Sequence, residues 1–239
     1  MKKMMFILAC LMLVGCAEKK SETEYACRTI DYYEYGQPAP LTEADDAQLS
    51  NSVLLGDFRL SAPSDSLKAA GADVYFVPEM NLFRIDSMNA KDTEKTLLDL
   101  AAESKKKNVY LVLGLNELGS DEASSVTDQI RWTAQQVRSS NSGAEIYICL
   151  NYHPRTYGNM PAKDVKEKTD AVNEGIQKAA EELGCYTLDL RELDGLDGLL
   201  KEEYSEDGLY LNQKGTDALK ELIGTHAVKG EDYVQKVCE

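Results

Sequence analysis

Ser52-Val53-Leu54-Leu55-Gly56-Asp57-Phe58-Arg59-Leu60 opens as an apolar run and closes on glycine and aspartate. Too short for a helix and bounded by a turn, 52–55 reads as a strand buried on both faces of a parallel sheet. The same reasoning places further strands at 73–77, 108–113, 144–150 and 185–190, each flanked by polar or turn residues. Between them the apolar spacing turns helical at 92–105, 124–139, 163–183 and 212–225. Strands alternating with helices require right-handed crossovers, so the chain is α/β, with a parallel sheet covered on both sides as a three-layer α/β/α sandwich.

Open parallel sheets take ligands at the carboxyl ends of their strands, where strand order reverses. Asp57 and Phe58 follow the first strand, Asn116 and Glu117 the third, and Asn151 to Arg155 the fourth, while Asp207 and Tyr210 precede the last helix. All are expected at one edge, with Phe58 and Tyr210 as the aromatic floor of a pocket. Each also has a structural reading. Gly56 and Asp57 suit a tight turn whose carboxylate binds neighbouring amides. Asn116 can tie loops together or contact a ligand. His153 and Arg155 are loop residues at the ligand-binding edge. Trp132 fits the packed face of an amphipathic helix, and 105–107 reads as a lysine-rich helix C-terminus.

Three ordered blocks, Gly56-Asp57-Phe58, Gly114-Leu115-Asn116-Glu117 and Asp207-Gly208-Leu209-Tyr210, resemble those of the SGNH/GDSL hydrolase family. In that family a Gly-Asp-Ser block, a glycine, a Gly-x-Asn-Asp block and an Asp-x-x-His block supply nucleophile, oxyanion donors and base. The similarity runs from about Asp45 to Val228, and a subgroup carries Asn-Glu-Leu-Gly, as 116–119 do here. The resemblance implies a flavodoxin-like sheet of order 2-1-3-4-5. It also places Phe58 at the nucleophile, Tyr210 at the base, and Glu79 where the second block, matched by 72–85, has its glycine. Only Asn116 and Asp207 remain from the catalytic set.

Acyl transfer by that route needs an activated hydroxyl or thiol, which phenylalanine lacks. A tyrosine with an unperturbed pKa near 10 is phenolate in only about one molecule in a thousand at neutral pH. A carboxylate at Glu79 opposes the charge of a tetrahedral intermediate. The expectation is a pseudoenzyme, and no residue is assigned a catalytic role. A rebuilt esterase would need a displaced serine (Ser61, Ser64 or Ser66) and His153 as base, but the serine spacing does not match a strand-to-helix nucleophile turn. Those serines read as turn and N-cap residues.

Met1-Lys2-Lys3, the apolar run 4–14 and Leu13-Val14-Gly15-Cys16 resemble a bacterial lipoprotein signal. The run is too short to span a bilayer of about 30 Å. The expected organisation is a signal peptide at 1–15, a tether with a docked end at 16–44 beginning with lipidated Cys16, and a single domain at 45–239, exported and anchored to the membrane outside the cytoplasm. Two or more acyl chains suffice for stable attachment. A domain of about 190 residues buries a sizeable core.

Without Lys2 and Lys3 the mature chain carries a formal charge of about −17, which argues against nucleic acid. Export permits disulfides, and Cys27 and Cys238, near the two ends, are the expected pair. Cys149 and Cys185 fall on strands and are expected buried and reduced. With two histidines and no metal-ligand spacing, neither metal nor cofactor is expected. Three functions follow from the resemblance: a catalytically dead domain binding a glycan or acylated small molecule through Asp57, Phe58, Asn116, His153, Arg155 and Tyr210; a rebuilt acetylhydrolase; or a structural envelope lipoprotein that holds a protein partner.

Overall fold

The computed structural model describes residues 33–228, so the signal segment, Cys16, Cys27, Cys238 and the first part of the tether lie outside the described residues. Five strands, β1 (Ser52–Gly56), β2 (Asp73–Phe76), β3 (Asn108–Val112), β4 (Glu145–Leu150) and β5 (Tyr186–Asp189), form one parallel sheet of order β2-β1-β3-β4-β5. The central strands β1 and β3 are buried along their whole length, as continuous apolar runs require in a sheet covered twice.

Six α-helices accompany the sheet: α1 (Asp46–Ser50), α2 (Ser64–Ala69), α3 (Leu97–Glu103), α4 (Ala123–Ser140), α5 (Ala162–Leu183) and α6 (Gln213–Thr225). Helices α3, α4 and α5 pack side by side, and α1 packs on α6. A cavity of only ≈ 10 Å³ separates α6 side chains Leu219 and Ile223 from Leu54, Tyr110, Cys149 and Leu188 of the sheet, so that interface is nearly solid. On the same face Tyr110, Tyr147 and Tyr186 stand in register across β3, β4 and β5, their successive rings 4.5 and 5.0 Å apart. The buried hydroxyls are satisfied: Gln48 donates to Tyr110 at 2.6 Å and the Val228 N–H to Tyr147 at 3.0 Å. Trp132 is half-buried against the core, as its helical spacing implied.

Two sequence expectations need correction. The helix expected at 92–105 begins at Leu97, because Thr96 and Asp99 form a reciprocal capping box, and it ends at Glu103. Residues 105–107 therefore lie beyond it, and Lys106 Nζ instead donates to the carbonyls of Ser50 and Gly71 at 2.7 and 2.9 Å. Ser64 and Ser66, expected in a turn or at an N-cap, belong to α2, whose N-cap position is Pro63. Ahead of the domain, Ala39 is buried, and its N–H donates to Thr187 O at 2.7 Å along the outer edge of β5. That contact covers an edge strand that would otherwise present unpaired amides.

Candidate functional site

At the carboxyl end of β1 the chain turns sharply because Gly56 lies against β3, where an added Cβ would stand 2.5 Å from Val112 O. Asp57, fully buried and extended (φ −97°), caps the following 3₁₀ turn Phe58–Leu60 by accepting the Arg59 N–H at 3.1 Å. Arg59 folds back onto the same carboxylate through Nε and Nη2 at 2.8 and 2.7 Å, and its Nη1 donates to Asn151 Oδ1. Burial works against the Arg59 charge, but Asp57 outweighs it and holds the guanidinium above its usual pKa. Asp189 and Arg191 repeat this arrangement at the end of β5, with Nε and Nη2 at 2.8 and 2.7 Å. An Asp-x-Arg fork thus closes both strands, which identifies Asp57 as a turn-forming residue with both oxygens spent.

Phe58 occupies the elbow itself, 5% exposed, with its ring edge-on to Tyr210 at 5.1 Å and 64°. The two rings fill one another's space. Two cavities stand out, the ≈ 10 Å³ void beneath α6 and a groove of ≈ 310 Å³ between the starts of α4 and α5, and neither is lined by Phe58, Asn116 or Tyr210. The two residues expected as an aromatic floor make a ring-on-ring contact, with Tyr210 43% exposed at its rim. Asp207 anchors the Tyr210 loop: its Oδ1 accepts the N–H groups of Leu209 and Tyr210, both at 2.9 Å, and the Ser205 hydroxyl at 3.1 Å. Burial alone would raise its pKa, but those backbone donors lower it. Asn212 caps the final helix.

Asn116 lies at the same edge after β3, and its side-chain amide donates to the carbonyls of Pro78 and Met80 at 3.1 and 3.0 Å. Both amide hydrogens are consumed in clamping the segment after β2, which carries Glu79. Glu79 is exposed on that segment. Tyr157 braces the clamp from the segment after β4, its hydroxyl donating to Asn116 O at 2.7 Å.

Glu117 lies at this edge as its place after the third strand implied, but the sequence assigned it no role. It is 4% exposed, its Oε1 accepts the Leu82 N–H at 2.8 Å, and its Oε2 is buried without a partner. Burial pushes its pKa up to about 7 against the Leu82 hydrogen bond, and Asp57 adds to the rise. The partner residue is 35 positions away, so no local pattern announced it.

His153 and Arg155 do not join the Phe58–Tyr210 pair. Both His153 ring nitrogens are engaged, Nδ1 with Asp194 at 2.6 Å and Nε2 with Asp170 at 2.8 Å. Arg155 Nε donates to Leu200 O at 2.6 Å and Nη2 to Asp197 at 2.8 Å, stapling the loop after β5. Ser61 donates its hydroxyl to Phe58 O at 2.6 Å, and Ser64 is buried in the first turn of α2. No serine is brought to His153 by any described hydrogen bond. Cys149 and Cys185 are buried free thiols, with burial pushing them up to about 12 and about 11. Among the described residues no cluster of three or more His, Cys, Asp or Glu side chains is placed to hold a metal ion.

Residues 65–218, well over half of the chain, match the sequence profile of the GDSL-like lipase/acylhydrolase family. The chain belongs to that family. The match takes in Asn116, Asp207 and Tyr210 but begins after Phe58. No curated protein matches the chain by sequence. Among solved structures it is similar to a GDSL-like lipase from Bacteroides thetaiotaomicron (14% identity, TM-score 0.58, 74% of this chain and 87% of that one). It is also similar to a carbohydrate acetylesterase from Sinorhizobium meliloti (14%, 0.53, 72% and 96%). A family 3 carbohydrate esterase from Talaromyces cellulolyticus gives 17%, 0.51, 72% and 94%. At these identities the likeness is one of fold.

Proposed function

We propose that this chain is an exported, lipid-anchored member of the GDSL-like family that has lost serine-esterase chemistry and binds a glycan or acylated small molecule at the strand-end edge. The observation that carries this reading is the Phe58 ring at the elbow, packed on Tyr210, in place of a hydroxyl and a base. Asn116 supports it, because an amide bonded to two carbonyls has no hydrogen left for an oxyanion. Tyr210, exposed at the rim, offers an aromatic face and a hydroxyl to a sugar or an acyl chain. The carbohydrate acetylesterase likeness makes acetylated oligosaccharides the first ligands to try. The leader 1–15 and Cys16 support export and anchoring.

Thermal-shift titration with acetylated oligosaccharides and short-chain acyl compounds tests the binding. A rise in Tm that disappears in Phe58→Ala/Tyr210→Ala supports the reading. No rise with any of them, or a rise unchanged in the variant, counts against it. Anchoring is tested by detergent-phase partitioning, where the wild type should enter the detergent phase and Cys16→Ala should stay in the aqueous one.

A further inference from the structure

Glu117 holds the only carboxylate oxygen among the described residues that is buried without a hydrogen-bond partner. The charged and titratable groups that face it are Asp57 and Arg59 from the turn after β1 and Tyr157 from the segment after β4. The one cation among them is already committed, with Arg59 Nε and Nη2 on Asp57 and Nη1 on Asn151. A neutral Glu117 carboxyl is tolerated there, whereas an ionised one meets low dielectric, the Asp57 carboxylate and no free counter-ion.

What separates Glu117 from water is the segment 78–85. Glu117 holds it through the Leu82 N–H, Asn116 holds it at Pro78 and Met80, and the side chains of Met80, Leu82 and Ile85 are buried beneath it. We propose that Glu117 makes the segment 78–85 a proton-dependent cover over the strand-end edge, seated while the carboxyl is neutral and lifting to hydrate it when it ionises. This goes beyond the ligand-binding reading and holds whether or not the edge takes a ligand. The raised pKa, about 7 against an ordinary 4.5, places the change within the range a protein outside the cytoplasm meets.

Native-state hydrogen exchange of the purified chain tests it, read at the amides of Met80, Leu82 and Ile85 and corrected for the intrinsic pH dependence of exchange. With these two pKa values, linkage makes the opening equilibrium rise about tenfold between pH 6 and pH 8. Protection of the three amides should fall by that factor while staying below that of α4 and α5 amides at every pH, as a local opening requires, and Glu117→Gln should abolish the pH dependence. Carboxyl carbon NMR of the wild type, which needs no variant, should show Glu117 titrating near pH 7. Flat protection in the wild type, the same fall in Glu117→Gln, or a Glu117 midpoint near 4.5 would overturn the proposal.

Discussion

At the residue scale, the proposed loss of esterase chemistry rests on more than the Phe58 side chain. Restoring the nucleophile and base alone, as Phe58→Ser/Tyr210→His, should leave ester hydrolysis at the buffer rate, because Asn116 still gives both amide hydrogens to Pro78 and Met80. A nitrophenyl acetate assay of that variant checks this. Asn116→Ala should instead act on stability, lowering the free energy of unfolding in urea by about 1–3 kcal/mol, since two carbonyls lose a shared donor. Glu117 gives a pH signature with a definite sign. Its folded pKa of about 7 lies above the ordinary 4.5, so the folded state binds more protons between those values. Its stabilising influence is full below pH 4.5 and is lost as pH rises through 7, by roughly 3 kcal/mol at most. Urea midpoints of wild type and Glu117→Gln should therefore diverge along that slope from pH 4.5 to 7, the wild type losing ground.

At the element scale, the five strands were legible because each is an apolar run ended by polar or turn residues, and α4, α5 and α6 because each is long enough to show a helical face. Helices α1 and α2 span 5 and 6 residues, too few for a period to register. The late start of α3 is decided by the Thr96–Asp99 capping box, whose signal competed with a helical pattern running from 92. Helices α4 and α5 cross tightly at Gly175, where an added Cβ would stand 2.3 Å from Thr127 Cγ2 and 2.4 Å from Thr127 Oγ1. Gly175→Ala should accordingly destabilise the fold by about 1–3 kcal/mol in spite of the better helix propensity of alanine, with Thr127→Ala in the same chain recovering part of the loss. Chemical denaturation of the single and double variants reads both effects.

At the scale of the whole molecule, the ordered blocks identified the scaffold and the edge where Phe58 and Tyr210 meet. The sequence could not show how that edge is wired. Asp57 is spent on Arg59, two residues away, whereas Asn116 reaches 38 and 36 positions back and His153 reaches 17 and 41 forward. Such partners are set by strand order and crossover geometry, which bring distant loops to one edge. The result is a sandwich whose strand-end edge is held together by loop-to-loop clamps. Hydrolysis of nitrophenyl acetate and butyrate by the purified chain, beside an Asp207→Ala/Asn116→Ala variant, tests this account most directly. The account predicts rates that match buffer for both proteins; turnover by the wild type that the double variant loses would contradict it.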